Sequence, residues 1–128
     1  MTAGGVGTPR LTGMVSAQGD AVVDLLVAGA GGQAVVSCVV DTGFTGALML
    51  PAPVVGRLQL PRVRSTRAYM ADGSSVILDG YHAEVQWLGG RRRVQAYASS
   101  GPEALIGYGL LSAHRLTIDY PARTVEIA

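Results

Sequence analysis

The sequence predicts an all-β fold, a small closed or partly closed β-barrel with one short C-terminal helix. Three observations point there. Apolar residues come in short runs such as AVVDLLV, AVVSCVV and ALML, which have the length of strands rather than of helices. Eighteen glycines and six prolines punctuate a chain of 128 residues, a density of turn formers that suits closely spaced hairpins. Nowhere does a strand pattern alternate with a long helical one, as a βαβ fold requires.

Each element follows in order. Met1 to about Arg10 is rich in Gly and Thr and reads as a flexible tail, leaving residues 11–128 as a single domain. Ala21–Val27 and Ala34–Val40, joined by AGAGGQ, form a hairpin, and Ala47–Leu50 is a further strand closed by Pro51. PAPVVGRLQLP has room for one helical turn, because its three prolines forbid a long helix. Arg64–Trp87 reads as a second hairpin turning at Asp72-Gly73. In its return arm Tyr81, Ala83, Val85 and Trp87 share one face and His82, Glu84 and Gln86 the other. Gly89-Gly90 turns the chain into a strand near Arg93–Ala98. A short helix at about Tyr108–His114 and two strands around Pro-Ala-Arg finish the chain.

Composition narrows the function. Ten arginines, no lysine and nine acids give a net charge of +1, with no basic surface for nucleic acid and none for a membrane. No apolar run approaches the roughly 20 residues that span a bilayer, and the start lacks an apolar signal core. One cysteine, Cys38, excludes an internal disulfide and fits a reducing compartment, so the protein is expected to be soluble and cytoplasmic. His82 and His114 stand apart without acid-rich or Cys-His spacing, which argues against a metal site. No cofactor is implied, and AGAGGQ lacks the Lys-Ser/Thr of a phosphate loop.

One acid stands out. Asp41 ends the apolar run AVVSCVV and is followed by Thr42 and Gly43, then by a second apolar strand. A carboxylate beside a buried strand is costly unless it is paired or used. Taken alone, Asp-Thr-Gly also suits an Asx-type turn in which the acid caps its own loop.

Strand, Asp41-Thr42-Gly43, strand, and some sixty residues later Ala104-Leu105-Ile106-Gly107 with a short helix, together resemble a retropepsin-like (clan AA) aspartic protease. The single-domain bacterial members, with similar DTGFTG…LP segments and a similar LIG…GLL…L.IDY..R.V ending, resemble the chain from about Leu11 onward. The resemblance implies a barrel of the acid-protease type and an aspartic endopeptidase. It makes Asp41 catalytic, with Thr42, Gly43 and a turn of Leu105, Ile106 and Gly107 supporting the active-site loop. The Asp72-Gly73 hairpin becomes a flap over an extended peptide, with Met70, Ala71, Asp72, Gly73, Ser74 and Val76 as its contact residues. This chemistry needs two carboxylates sharing one proton around one water. The chain has no second Asp-Thr-Gly, so the resemblance implies a homodimer with one Asp41 from each copy.

The chain departs from the retroviral pattern at Phe44, Thr45 and Tyr108, where those members place a small residue, an acid and an Arg that pairs with it. Both ends of that ion pair are missing together. The alternative reading is therefore a non-catalytic module of the same fold that binds peptide or regulates, monomeric or differently paired. Thr124–Ala128 either joins a sheet between subunits or completes its own barrel. Cys38, Tyr69, Tyr81 and Trp87 are expected in the core, His82 in a solvated position, and His114 at the end of the short helix. Arg91–Arg93 should be an exposed hairpin end.

Overall fold

The structure, a computed structural model, describes residues 8–128. Of the segment expected as a tail, residues 1–7 lie outside the described residues. Arg10, just before the first strand, pairs with Glu126 at 2.8 Å, but both side chains are well exposed and such a pair contributes about 0–1 kcal/mol.

The first strand is β1 (Leu11–Val15), followed by the hairpin β2 (Ala21–Gly29) and β3 (Gly32–Val40). Next come β4 (Leu48–Pro51) and the short helix α1 (Ala52–Arg57), which prolines hold to six residues. β5 (Arg62–Tyr69), β6 (Ser75–Trp87) and β7 (Gly90–Ser99) form an antiparallel meander. The chain ends with β8 (Ala104–Ile106), α2 (Tyr108–Leu111), β9 (Leu116–Asp119) and β10 (Thr124–Ile127).

Strands β2, β3, β8, β4, β7 and β6 are hydrogen-bonded in that order, and β6 returns to β2 through Val27 opposite Val85 and Ala28 opposite Glu84. Six strands thereby close a barrel, which leaves no free edge within the ring. The alternation of β2 shows why it belongs there: Ala21, Val23, Leu25 and Val27 are buried, while Asp24 points outward. Leu48, Leu50, Val85, Ala96, Ile106 and Leu110 fill the same core, each of the larger side chains contributing about 1.5–3 kcal/mol by burial. Cys38 is fully buried there, and burial, with the charge of Asp24 second, pushes its thiol up to about 12. Such a thiol is inert.

Two attachments leave the ring. β6 is paired with β7 only from Gly80 to Trp87, so its first part, Ser75–Asp79, pairs with β5 alone and projects as a two-stranded arm. On the other side β10 lies between β1 and β9, with Leu11 opposite Ile127 and Ile127 opposite Leu116. The C-terminal strand therefore has a neighbour of its own chain on each edge, and it completes its own fold.

Several expectations are corrected. β1, at the start of the expected domain, was not among the expected strands, because Gly13 interrupts its short apolar pattern and its ladders come from β2 and β10. Ala104–Ile106, expected as part of a supporting turn, is a strand, since β3 and β4 supply hydrogen-bonding partners on both of its sides. α2 ends at Leu111 rather than near His114, whose Nε2 instead accepts a hydrogen bond from Trp87 Nε1 at 3.1 Å. The turn between β6 and β7 is Leu88-Gly89, not Gly89-Gly90, both with positive φ as a tight hairpin requires. Tyr69 is no core residue: it sits at the end of the projecting arm and is 75% exposed. Tyr81 and Trp87 do pack on the core.

Candidate active site

Apolar β3 delivers Asp41 to the rim of the barrel. β8 lies between β3 and β4, parallel to the first and antiparallel to the second, so the loop joining those two strands must cross over the end of β8. Backbone hydrogen bonds pin the crossing. Asp41 N–H donates to the Ile106 carbonyl at 2.9 Å, Gly107 N–H to Ala47 at 3.0 Å, Tyr108 N–H to Phe44 at 2.8 Å and Gly109 N–H to Gly46 at 3.0 Å. Gly107 is needed for this approach, since a Cβ there would lie 2.3 Å from the Gly46 carbonyl oxygen and 2.5 Å from that of Phe44.

Within the loop, Gly43 N–H donates to Asp41 Oδ1 at 2.9 Å, and Phe44 N–H donates to the Asp41 carbonyl at 3.1 Å. This is the geometry of an Asx turn. It uses one carboxylate oxygen only, and Oδ2 meets no donor among the described residues. No arginine pairs with Asp41 there either; the two ion pairs are Arg10–Glu126 and Arg62–Asp79. The carboxylate is half-buried, and its free oxygen belongs to a residue that lines a cleft of about 670 Å³.

The cleft runs between the Asp41 loop and the projecting arm. Its floor includes Phe44, Met49, Tyr97 and Leu105, and the arm contributes Thr66, Ala68, Met70, Val76 and Leu78. Ala68 opposite Val76 and Thr66 opposite Leu78 share one face of the hairpin, and Arg67 and Tyr69, at the alternate positions of β5, border the cleft as well. Asp41 is the one acid among the lining residues.

Of the residues singled out in the sequence, Asp41, Gly43, Leu105, Met70 and Val76 meet at this cleft. Thr42 is exposed beside it. Ile106 and Gly107 are buried behind the loop, as supports rather than lining. Ala71, Asp72, Gly73 and Ser74 form the exposed tip of the arm and do not line the cleft. Gly73 has φ +88°, and Asp72 Oδ1 accepts hydrogen bonds from the Ser74 hydroxyl at 2.6 Å and the Ser74 N–H at 2.9 Å. Those bonds, the hydroxyl first, hold the Asp72 carboxyl below its ordinary range. Sequence reading missed Met49 and Tyr97 as lining residues. The signal was present as alternation, since Leu48 and Leu50 are buried and Met49 must face away.

Among the described residues no group of three or more His, Cys, Asp or Glu side chains is placed to hold a metal ion. His82 is half-buried on the barrel wall, beside a smaller hollow of about 280 Å³ that shares no residue with the cleft.

No protein-family model matches the sequence, and no curated protein matches it significantly. Solved structures do match. A crystal structure of a retropepsin-like aspartic protease from Rickettsia conorii superposes with a TM-score of 0.70 at 15% identity, over 99% of this chain and 96% of that one. The EIAV protease in complex with the inhibitor HBY-793 gives a TM-score of 0.55 at 16% identity, over 88% of this chain and 93% of that one. A closed barrel, a loop crossing over β8 and a hairpin arm above a cleft, matched at that coverage, give this chain the retropepsin-like aspartic protease fold.

Proposed function

We propose that the protein is an aspartic endopeptidase working as a homodimer, with Asp41 of each subunit at one shared site. The observation that carries this reading is the state of Asp41. It is the one acid lining a cleft of about 670 Å³, held by Gly43 at one oxygen and left open at the other. An Asx turn alone does not call for a 670 Å³ cleft at its back. A lone carboxylate cannot serve as both base and acid. A twofold partner supplies the second, and two carboxylates so close hold one proton between them.

Hydrolysis then follows. The ionised Asp41 takes a proton from the water as its oxygen attacks the peptide carbonyl carbon. The protonated Asp41 of the other subunit gives its proton to the carbonyl oxygen. Collapse of the tetrahedral diol breaks the C–N bond, and the nitrogen leaves as an amine once a carboxyl has protonated it. In this reading Thr42, exposed next to Asp41, bonds across the twofold, and Gly43 keeps the carboxylate oriented. The arm carrying Met70 and Val76 closes over the peptide as a flap.

Sedimentation across a wide concentration range, together with an Asp41→Asn control, tests this. A dimer that cleaves peptides, with cleavage lost in Asp41→Asn at unchanged fold, is expected. A strict monomer that still cleaves, or an Asp41→Asn protein with wild-type turnover, overturns it. Thr45 and Tyr108, which stand where an acid and an Arg would pair, favour a second reading: a peptide-binding module without turnover. That reading expects retention of peptides by wild type and Asp41→Asn alike, with no products.

A further inference from the structure

We infer that Phe44 and Tyr97 form a fixed aromatic wall that limits one substrate subsite beside Asp41 to small side chains. The inference deepens the peptide-cleaving reading and rests on peptide binding in the same cleft.

Phe44 follows Asp41 by three positions, and both line the cleft. Its backbone is bound at both ends, the N–H donating to the Asp41 carbonyl and the carbonyl accepting from the Tyr108 N–H, so the stem of the ring is held in the loop. Its ring lies over two glycines. A Cβ on Gly46 would come 2.6 Å from Phe44 Cζ, and one on Gly107 would come 2.5 Å from Phe44 Cδ2. Tyr97, near the C-terminal end of β7, meets the ring edge-on, with centroids 6.4 Å apart and planes at 72°. That arrangement is a favourable one for an aromatic pair.

The consequence is steric. A ring seated closely over two glycines and braced edge-on by a second ring yields poorly to an incoming side chain, because overpacking such a wall is destabilising. The peptide residue that lies against it must therefore be small. Other lining residues, among them Met49, Leu105 and the arm's Met70, are flexible or aliphatic and accept larger apolar groups.

A randomised peptide mixture, read by mass spectrometry, tests the wall in two ways. Cleavage products are profiled with wild type, Phe44→Ala, Phe44→Leu and Tyr97→Ala; retained peptides are profiled with the same proteins carrying Asp41→Asn. Wild type is expected to select Gly, Ala or Ser at one position. Phe44→Ala should admit Leu, Met and Phe there with a relative gain of about tenfold or more, other positions being unchanged. Phe44→Leu keeps most of the packing and should fall between, and Tyr97→Ala opens the same subsite from β7 should Phe44→Ala not fold. An identical profile in all folded variants, a change at every position alike, or no selection in either assay overturns the inference. A shift among retained peptides without cleavage by any protein upholds the wall and removes the protease reading.

Discussion

Asp41 depends on a neighbour that has no side chain. A Cβ on Gly43 would stand 3.3 Å from Asp41 Oδ1, close enough to displace the carboxylate by a few tenths of an ångström. Misplacements of that order are costly in catalysis, so Gly43→Ala should lower kcat about tenfold or more while the thermal midpoint stays near wild type. An unchanged kcat would show that Gly43 does not set the carboxylate. A second residue carries structure instead. Trp87 is buried, and its indole N–H has His114 Nε2 as acceptor, with the rings edge-on at 5.7 Å. His114→Ala strands that donor and should cost about 1–3 kcal/mol in urea unfolding. Sequence reading placed Asp41 and its glycine, because that chemistry lies in consecutive residues. It did not place the Phe44–Tyr97 and Trp87–His114 pairs, because each joins residues from elements distant in sequence. His114 was read from its position after α2, whereas its partner comes from β6.

Elements show the same division. Hairpins whose two arms are adjacent in sequence, β2–β3 and β5–β6, were legible from alternation and turn residues. β8 was not, because three residues make a strand only when β3 and β4 supply both ladders. At the tip of the projecting arm, the Asp72 carboxylate holds the turn. Its folded value is depressed, so its contribution is present above the ordinary carboxylate range and is lost as pH falls through the lowered value. Hydrogen exchange at Gly73 and Ser74 should therefore quicken relative to the core in strong acid, after the intrinsic dependence on pH is removed. Asp72→Ala should show the same loosening at neutral pH and raise KM more than it lowers kcat. Equal exchange in both proteins at neutral pH would deny the carboxylate that role.

For the whole molecule, two questions separate: what holds one chain together, and what brings two together. Ile127 is fully buried and β10 is paired on both edges within its chain. Ile127→Ala should therefore cost about 2–5 kcal/mol of folding stability, and the loss should appear in unfolding rather than in subunit dissociation. A weakened dimer with an unchanged unfolding midpoint would put β10 in the interface after all. On the reading in which two Asp41 residues share one proton, kcat/KM should depend on pH as a bell-shaped curve, and a flat profile through the acid range would count against it. The barrel was legible as a class from glycine spacing and run lengths. Its closure was not, because the ladder from β6 to β2 joins residues far apart in the chain.

The place of β10 between β1 and β9 also sets an order of events during synthesis. β1 is made early, yet one of its two neighbours is the strand ending at Ile127. Until that strand has left the ribosome, β1 has an open edge and Leu11 lacks its cross-strand partner. The barrel ring, whose last strand is β8, can be complete before then. A growing chain would thus carry a finished cleft on an unfinished sheet. Such an intermediate exposes the edge of β1 to pairing with another chain until β10 covers it.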